Sequence, residues 1–294
     1  MEISELLKKV RKIEIRSRGL SNNLFAGQYH SAFKGRGMAF SEVREYQYGD
    51  DIRAIDWNVT ARFNHPYVKI YEEERELTVM ILADLSGSSH FASKGELKRE
   101  LIAQVSATLA FSALQNNDKI GLLVFTDKIE KYIAPAKGRS QALRIIRELI
   151  DFQPKSRGTS LDEALRFFTN TAKKRCIGFL ISDFMDVESD TRKFKFENSL
   201  KIASRKHDLI ALTVTDELEN QLKGEGLVRF SDPETGEIRV VDLSDKMLKN
   251  RYKQVRADFE KDLSSLMAKN KVSVAKLSPG ADFVQPLLRL FNER

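Results

Sequence analysis

Oxygen-bearing side chains in three short stretches are the residues of this sequence best suited to chemistry. The stretches are Asp84-Leu85-Ser86-Gly87-Ser88, Gly158-Thr159-Ser160 and Ser182-Asp183. Carboxylates and hydroxyls, without His or Cys, are hard ligands that select Mg²⁺ or Mn²⁺ over zinc or copper. The pattern Asp-x-Ser-x-Ser, directly after a strand, places a carboxylate and two hydroxyls where such a cation could bind.

Each stretch lies at the end of a predicted strand or the start of a predicted helix. Asp84 ends a continuous apolar run whose length is typical of a strand buried on both faces, and Asp183 follows a similar run. Thr159 precedes Ser160, a natural N-cap for the helix predicted after it. In a doubly wound sheet, ligands bind at the carboxyl ends of the strands, near the point where the strand order reverses. The three stretches are therefore expected to meet at that edge.

From residue 78 onwards the sequence alternates between strand patterns and helix patterns. The predicted strands cover residues 78–83, 119–126, 129–134, 177–182, 208–215 and 273–277. The predicted helices cover residues 95–114, 138–152, 161–171, 192–206, 245–268 and 283–291. This alternation predicts an α/β fold with a doubly wound, mainly parallel, Rossmann-type sheet over residues 78–294, with residues 129–134 as an antiparallel edge strand. An insertion at residues 226–243, which alternates around D-P-E-T-G, predicts a surface β-hairpin.

Residues 1–77 differ in composition and are predicted to form an N-terminal segment that packs on the main domain. An amphipathic helix is expected at residues 4–17, where apolar residues recur among basic ones. Residues 67–73 alternate between apolar and polar side chains, which predicts a strand that leads towards the core.

Three aspartates of this segment, Asp50, Asp51 and Asp56, allow two interpretations. One is a carboxylate metal cluster. The other is pairing with nearby arginines, which would brace a segment that lacks regular hydrogen bonding. We favour bracing, because arginines are as numerous there as the acids.

The overall composition is that of an ordinary globular protein. The chain has 294 residues, of which 41% are hydrophobic and 31% charged, so a disordered or fibrous chain is excluded. The net charge is +7, and residues 1–36 carry eight Lys or Arg against three Glu. No block of five or six like charges and no interleaving of basic and aromatic residues accompanies this bias, so we expect no nucleic-acid partner.

The cysteine content and the hydropathy pattern predict a cytoplasmic protein. Cys176 is the single cysteine and lies in an apolar run, where a small buried core residue is expected rather than a catalytic thiol. The N-terminal residues lack the apolar core of a signal peptide. No stretch of the sequence approaches the roughly 18–20 apolar residues that a membrane span requires.

The order and spacing of five of these residues resemble the metal-ion-dependent adhesion site of the von Willebrand factor A domain, which implies that they form a divalent-metal site. They are Asp84, Ser86, Ser88, Thr159 and Asp183. The resemblance implies that Ser86, Ser88 and Thr159 coordinate the metal directly. It also implies that Asp84 and Asp183 bind the metal or hold its waters. An acidic side chain from a partner protein would then complete the coordination.

The segment upstream of this site resembles a narrower family. The run R-E-Y-Q-Y-G-D-D-I-R-A-I-D-W at residues 44–57, followed by V-K-I-Y-E-E-E-R-E-L at 68–77, is similar to bacterial von Willebrand A-like proteins of domain-of-unknown-function family fifty-eight. Such proteins typically occur with MoxR-type AAA+ ATPases, which implies a role as an adaptor or co-chaperone-like partner of that ATPase. Some relatives carry transmembrane helices, which this sequence lacks.

Two classes of function are consistent with these residues. The first is a non-catalytic, Mg²⁺-dependent protein-interaction module, because no base or nucleophile accompanies the oxygen ligands. The alternative is a metal-dependent phosphoesterase or nuclease that uses Asp84 and Asp183. A nucleophilic aspartate would favour a second acid two residues later, where this chain has Ser86.

Overall fold

The computed structural model describes residues 39–72, 77–91, 96–188 and 193–294. These residues divide into two compact units, which meet in the sequence between Leu77 and Thr78. The helix predicted at residues 4–17 lies outside the described residues. None of the described helices combines the length and the apolar composition that crossing a bilayer requires.

The smaller unit is built on a two-stranded antiparallel sheet. Strand β1 (Ala39–Glu45) pairs with β2 (Tyr67–Glu72), and the short helix α1 (Trp57–Phe63) lies between them in the sequence. Strand β2 follows the prediction for this stretch. Strand β1 was not predicted, because its charged residues alternate with few apolar ones and its partner is distant in the sequence.

The acidic residues of this unit brace the backbone. Asp50 accepts two hydrogen bonds from the Arg44 guanidinium, at 2.7 and 2.9 Å, and these bonds hold the pKa of Asp50 below its usual value. Asp51 pairs with Arg53, and Asp56 caps the amino end of α1. Among the described residues, no three His, Cys, Asp or Glu side chains converge to hold a metal. Bracing is thus the interpretation that the structure supports.

The larger unit contains a six-stranded sheet with helices packed against it. Its strands are β3 (Thr78–Asp84), β4 (Lys119–Phe125), β5 (Ile129–Ala136), β6 (Ile177–Ser182), β7 (Asp208–Val214) and β10 (Ser273–Leu277). A separate hairpin, formed by β8 (Leu227–Ser231) and β9 (Ile238–Asp242), lies between β7 and β10 in the sequence. The helices are α2 (Lys98–Gln115), α3 (Arg139–Asp151), α4 (Leu161–Thr171), α5 (Glu197–Lys206), α6 (Glu217–Asn220), α7 (Lys246–Lys269) and α8 (Val284–Asn292).

The strand order, β10-β7-β6-β3-β4-β5, confirms the predicted fold class. All neighbouring strands are parallel except β4 and the edge strand β5, which are antiparallel, as predicted. The chain adds β4 and β5 on one side of β3 and then returns to add β6 on the other side. The order therefore reverses between β3 and β6, and the carboxyl ends of these two strands flank the crevice where ligands bind in such sheets.

The core lies on both faces of this sheet. Met80 and Leu82 of β3 belong to a buried cluster with side chains of α4, α5 and α7. Because side chains alternate along a strand, Ile81 and Ala83, which are also fully buried, face the opposite side. Helix α2 packs there against α3 and contacts β3 and β4. A strand buried on both faces holds its last residue rigidly, and in β3 that residue, Asp84, begins the predicted metal loop.

The helix boundary that differs most from the prediction is the start of α5. Helix α5 begins at Glu197 and not at residue 192. The residue Phe194 forms a β-bridge with Val187, and its ring packs against Phe196 with centroids 5.4 Å apart. Tertiary packing of aromatic side chains therefore overrides the helical pattern in this short stretch.

Cys176 and His207 form a buried pair near the amino ends of β6 and β7. The Cys176 Sγ atom lies 3.4 Å from His207 Nδ1, while His207 Nε2 has no hydrogen-bond partner among the described residues. Burial raises the pKa of the Cys176 thiol to about 12. The thiol is therefore protonated at neutral pH and is not a nucleophile, which agrees with the predicted core role.

Buried His207 contributes less to stability in acid than at neutral pH. Burial, followed by the charges of Lys206 and Arg175, lowers the pKa of His207 from 6.5 to about 4. Between these values the unfolded chain binds a proton at this residue that the folded chain does not, so the contribution of His207 to the free energy of unfolding falls as the pH drops from 6.5 to 4. The expected loss is about 3 kcal/mol.

Urea unfolding between pH 4 and pH 7 measures this effect. Because other groups also titrate in this range, the effect is the difference between variant and wild type. His207→Phe should gain about 3 kcal/mol relative to the wild type as the pH falls from 7 to 4, whereas the difference for His65→Gln, at an exposed position, should not change with pH. An equal slope in the wild type and in His207→Phe would contradict the assignment.

Candidate metal site

Asp84 joins the carboxyl ends of the two strands that flank the crevice. Its Oδ1 atom accepts a hydrogen bond from the backbone N–H of Ser86 at 3.0 Å. Its Oδ2 atom accepts a hydrogen bond from the Ser182 hydroxyl, at the end of β6, at 2.5 Å. The carboxylate is thus fixed at the point where the strand order reverses, which is where the sequence places the site.

The hydroxyls of Ser86 and Ser88 lie side by side on the loop after β3. Their Oγ atoms are 3.2 Å apart, and Ser86 is completely buried. The backbone N–H of Gly87, between them, donates to the carbonyl of Arg157 at 2.8 Å. This bond connects the first predicted stretch to the second, which contains Thr159.

Thr159 lies directly before the N-cap of α4 and has an acidic partner that the sequence does not predict. Its hydroxyl donates to Glu234 Oε1 at 2.5 Å. Glu234 belongs to the turn of the β8–β9 hairpin, 75 residues further along the chain. The predicted ligand Thr159 therefore contacts an acid from within the same chain.

Asp183, directly after β6, forms an ion pair with a buried lysine. The Lys98 ammonium lies 3.2 Å from Asp183 Oδ2 and also pairs with Glu219. Only 2% of the Lys98 side chain is exposed. Burial lowers its pKa, but the charges of Asp183 and Glu219 more than offset this, so the pKa of Lys98 is raised and it is charged at neutral pH.

The backbone after Asp183 is held in an uncommon conformation. Phe184 has a φ of 60°, in the left-handed region that bulky residues rarely adopt, and its side chain is fully buried. Its N–H donates to the Ser182 hydroxyl at 3.0 Å, and the Met185 N–H donates to Asp183 Oδ1 at 3.2 Å. Such strain persists where the surrounding contacts over-determine the chain, and here it orients the Asp183 carboxylate.

The electrostatics of this edge favour a cation. Burial, and then the nearby charge of Asp183, raise the pKa of Asp84 to about 7, although hydrogen bonds from Ser182 and Ser86 act in the opposite sense. Burial also raises the pKa of Glu234, to which the charges of Asp183, Asp232 and Asp186 contribute. Carboxylates that repel one another in a desolvated site are stabilised by a bound dication.

The residues present fit a hard divalent cation. Because no three acidic side chains of the described residues converge closely enough to hold a metal alone, the hydroxyls of Ser86, Ser88 and Thr159 have to contribute to any site here. They lie on the loops that the Asp84 and Gly87 hydrogen bonds join. Oxygen atoms of this kind suit Mg²⁺. Asp183 shares one of its oxygens with Lys98, which suits a role in holding metal-bound waters.

Three residues at this edge are not predicted from the sequence to take part in the site. They are Ser182, Lys98 and Glu234. Each contacts its partner across a large separation in the chain, so no local pattern indicates the pairing. The only available signal was the position of Glu234 in the hairpin turn and of Ser182 beside Asp183.

Comparison with known proteins gives a family match and an uncharacterized relative. A family model described as "Protein of unknown function DUF58" matches residues 42–262. The uncharacterized protein Rv1480 of Mycobacterium tuberculosis is 23% identical over 292 residues, which cover 99% of this chain and 90% of that protein.

Two solved structures illustrate the structural likeness. The conserved hypothetical protein BatB from Bacteroides thetaiotaomicron matches 74% of this chain and 98% of its own, with a TM-score of 0.49 and 16% identity. A von Willebrand factor type A structure from Catenulispora acidiphila matches 51% of this chain and 35% of its own, with a TM-score of 0.35 and 14% identity.

Proposed function

This chain belongs to the DUF58 family, and from that premise we propose that it is a non-catalytic, Mg²⁺-dependent protein-interaction module. The observation that supports the proposal is the buried Asp84 carboxylate, held between β3 and β6 beside the charge of Asp183. Ser86, Ser88 and Thr159 would bind the ion, and Asp84 and Asp183 would bind it or hold its waters. The bound ion would offer a coordination position to a carboxylate of a partner protein.

The partner that we propose is a MoxR-type AAA+ ATPase, for which this chain would act as an adaptor or co-chaperone. This part of the proposal rests on the resemblance of residues 44–57 and 68–77 to proteins that occur with such ATPases. The chemistry of the site adds one requirement, which is an accessible Asp or Glu on the partner surface.

The alternative function, a phosphoesterase or nuclease that uses Asp84 and Asp183, is less well supported. Both oxygens of Asp84 accept hydrogen bonds, and one oxygen of Asp183 is paired with Lys98. Neither carboxylate is thus presented as a nucleophile. Incubation with p-nitrophenyl phosphate and with single-stranded DNA, under Mg²⁺ or Mn²⁺, should give no turnover, and turnover that Asp84→Ala abolishes would favour the enzyme.

A binding experiment with purified proteins tests the proposed function. Immobilised chain should retain a MoxR-type ATPase from the same genome in Mg²⁺ and release it in EDTA. Asp84→Ala should bind neither Mg²⁺ nor the ATPase while keeping its fold by circular dichroism. Asp151→Ala, at an exposed position on α3, is the control and should bind both. Equal retention of the ATPase by wild type and Asp84→Ala would refute the proposal.

A further inference from the structure

The turn of the β8–β9 hairpin is built to present one carboxylate. Asp232 Oδ1 accepts hydrogen bonds from the N–H groups of Glu234 and Thr235 at 2.8 and 3.1 Å, and Gly236 completes the turn with a φ of 74°. Of residues 232–236, only Glu234 is not exposed. The turn is therefore locally stable and directs one partly buried acid, Glu234, towards the protein.

This turn lies against the predicted metal loops. A Cβ atom at Gly87 would lie 2.2 Å from the carbonyl oxygen of Pro233, so Gly87 is needed for the close approach. On the neighbouring loop, the Thr159 hydroxyl donates to Glu234. The hairpin tip therefore contacts two of the three stretches that form the site.

A carboxylate is also the group that the site would accept from a partner. Glu234 contacts Thr159, which is a predicted metal ligand, and the charge of Asp183 acts on it. A hydroxyl that donates its proton to a carboxylate keeps its oxygen lone pairs available for a metal. The position of Glu234 is thus compatible with a metal that is bound by Thr159.

Along its two strands the hairpin exposes large apolar side chains. The side chains of Leu227, Ile238 and Val240 are between 60 and 76% exposed. Its base is tied by the buried Leu243, whose N–H donates to the carbonyl of Gly226 at 2.8 Å. A hairpin that is held at its base and its tip but exposed between them opens at low cost when the tip contact is lost.

We propose that Glu234 is an internal carboxylate that occupies the partner's place at the metal site, and that the β8–β9 hairpin must move away before the acidic side chain of a partner binds. This inference rests on the proposed function, because it needs a metal at the site. Bound Mg²⁺ then holds the hairpin closed, and a partner competes with Glu234. The partner's measured affinity is then set by the difference between the binding free energy of its own carboxylate and that of Glu234.

Hydrogen exchange of the full chain, with and without Mg²⁺, tests this proposal. In the wild type, Mg²⁺ should slow exchange of the hairpin amides by about tenfold or more, the effect of one charge-assisted contact. In Glu234→Gln the hairpin should exchange at the same rate with and without Mg²⁺. The control Glu237→Gln, on the same hairpin and paired with Arg239, should behave as the wild type.

Exchange of the Ser86 and Ser88 amides distinguishes a failure of this proposal from a failure of the proposed function. If Mg²⁺ protects these loop amides but leaves the wild-type hairpin unchanged, or slows it equally in Glu234→Gln, the internal-ligand proposal is wrong and the metal site stands. If Mg²⁺ changes neither the loop nor the hairpin, the proposed function itself fails.

Discussion

Replacing Asp84 with Asn should make the metal-free protein more stable and remove its stabilisation by Mg²⁺. Burial and the charge of Asp183 raise the pKa of Asp84 from 3.8 to about 7. The folded chain therefore binds a proton at Asp84 between these values that the unfolded chain does not, so the contribution of Asp84 to stability falls as the pH rises from 3.8 to 7. Above pH 7 the full penalty, roughly 4 kcal/mol, applies.

The net gain expected at pH 8 without metal is about 2 kcal/mol, because Asn weakens two hydrogen bonds worth about 1 kcal/mol each. Mg²⁺ at a hundred times its dissociation constant should raise the free energy of unfolding of the wild type by about 3 kcal/mol. It should not measurably change the free energy of unfolding of Asp84→Asn. Chemical denaturation with EDTA and with Mg²⁺ measures both effects.

Asp186→Asn is the matched control for this substitution. Asp186 is equally buried, but its Oδ2 accepts the N–H of Leu161 at the start of α4. This variant should lose stability and keep its response to Mg²⁺. A destabilised Asp84→Asn that still responds to Mg²⁺ would show that Asp84 is a structural residue only.

Replacing Lys98 with Met should destabilise the fold and strengthen Mg²⁺ binding. The Lys98 ammonium is buried between Asp183 and Glu219, and removing one partner of such a cluster leaves uncompensated charge. Without metal, the free energy of unfolding of Lys98→Met should be about 3–5 kcal/mol lower than that of the wild type. Since a nearby positive charge repels a dication, Mg²⁺ affinity should rise by about tenfold or more.

Isothermal titration with Mg²⁺ and urea unfolding measure these two changes. Lys131→Met, which removes a half-exposed partner of Glu148, serves as the control. This control should lower the free energy of unfolding by less than about 1 kcal/mol and leave the Mg²⁺ affinity unchanged. If Lys98→Met lowers Mg²⁺ affinity, then the lysine supports the site rather than competing with the metal.

The fold follows from local patterns to a large extent. The apolar runs of β3 and β6 are long enough to be buried on both faces, and helix α4 begins and ends where its cap and periodicity predict. The edge strand β5 is recognisable because a tight turn joins it to β4. Strand β1 was missed, since its alternation is obscured by charged residues.

The site is predictable only in part. Asp84, Ser86 and Ser88 stand out because they come at the end of a strand at regular spacing, and the strand-end rule brings Asp183 to the same edge. Thr159 lies before a helix, and only the resemblance to the known metal site indicates it. Their actual partners depend on tertiary structure. Lys98 is 85 residues from its partner Asp183 in the chain, and Glu234 is 75 residues from Thr159. No periodicity or turn rule specifies contacts between residues so far apart.

We expect this edge of the sheet to hold one divalent cation through Asp84 and its neighbouring hydroxyls. Isothermal titration calorimetry of the wild type and of Asp84→Asn with Mg²⁺ at pH 8 measures this binding. The wild-type chain should bind one Mg²⁺, and Asp84→Asn should show no measurable binding. Absence of binding to the wild type at millimolar Mg²⁺, or equal binding to both proteins, would rule out the proposed metal site.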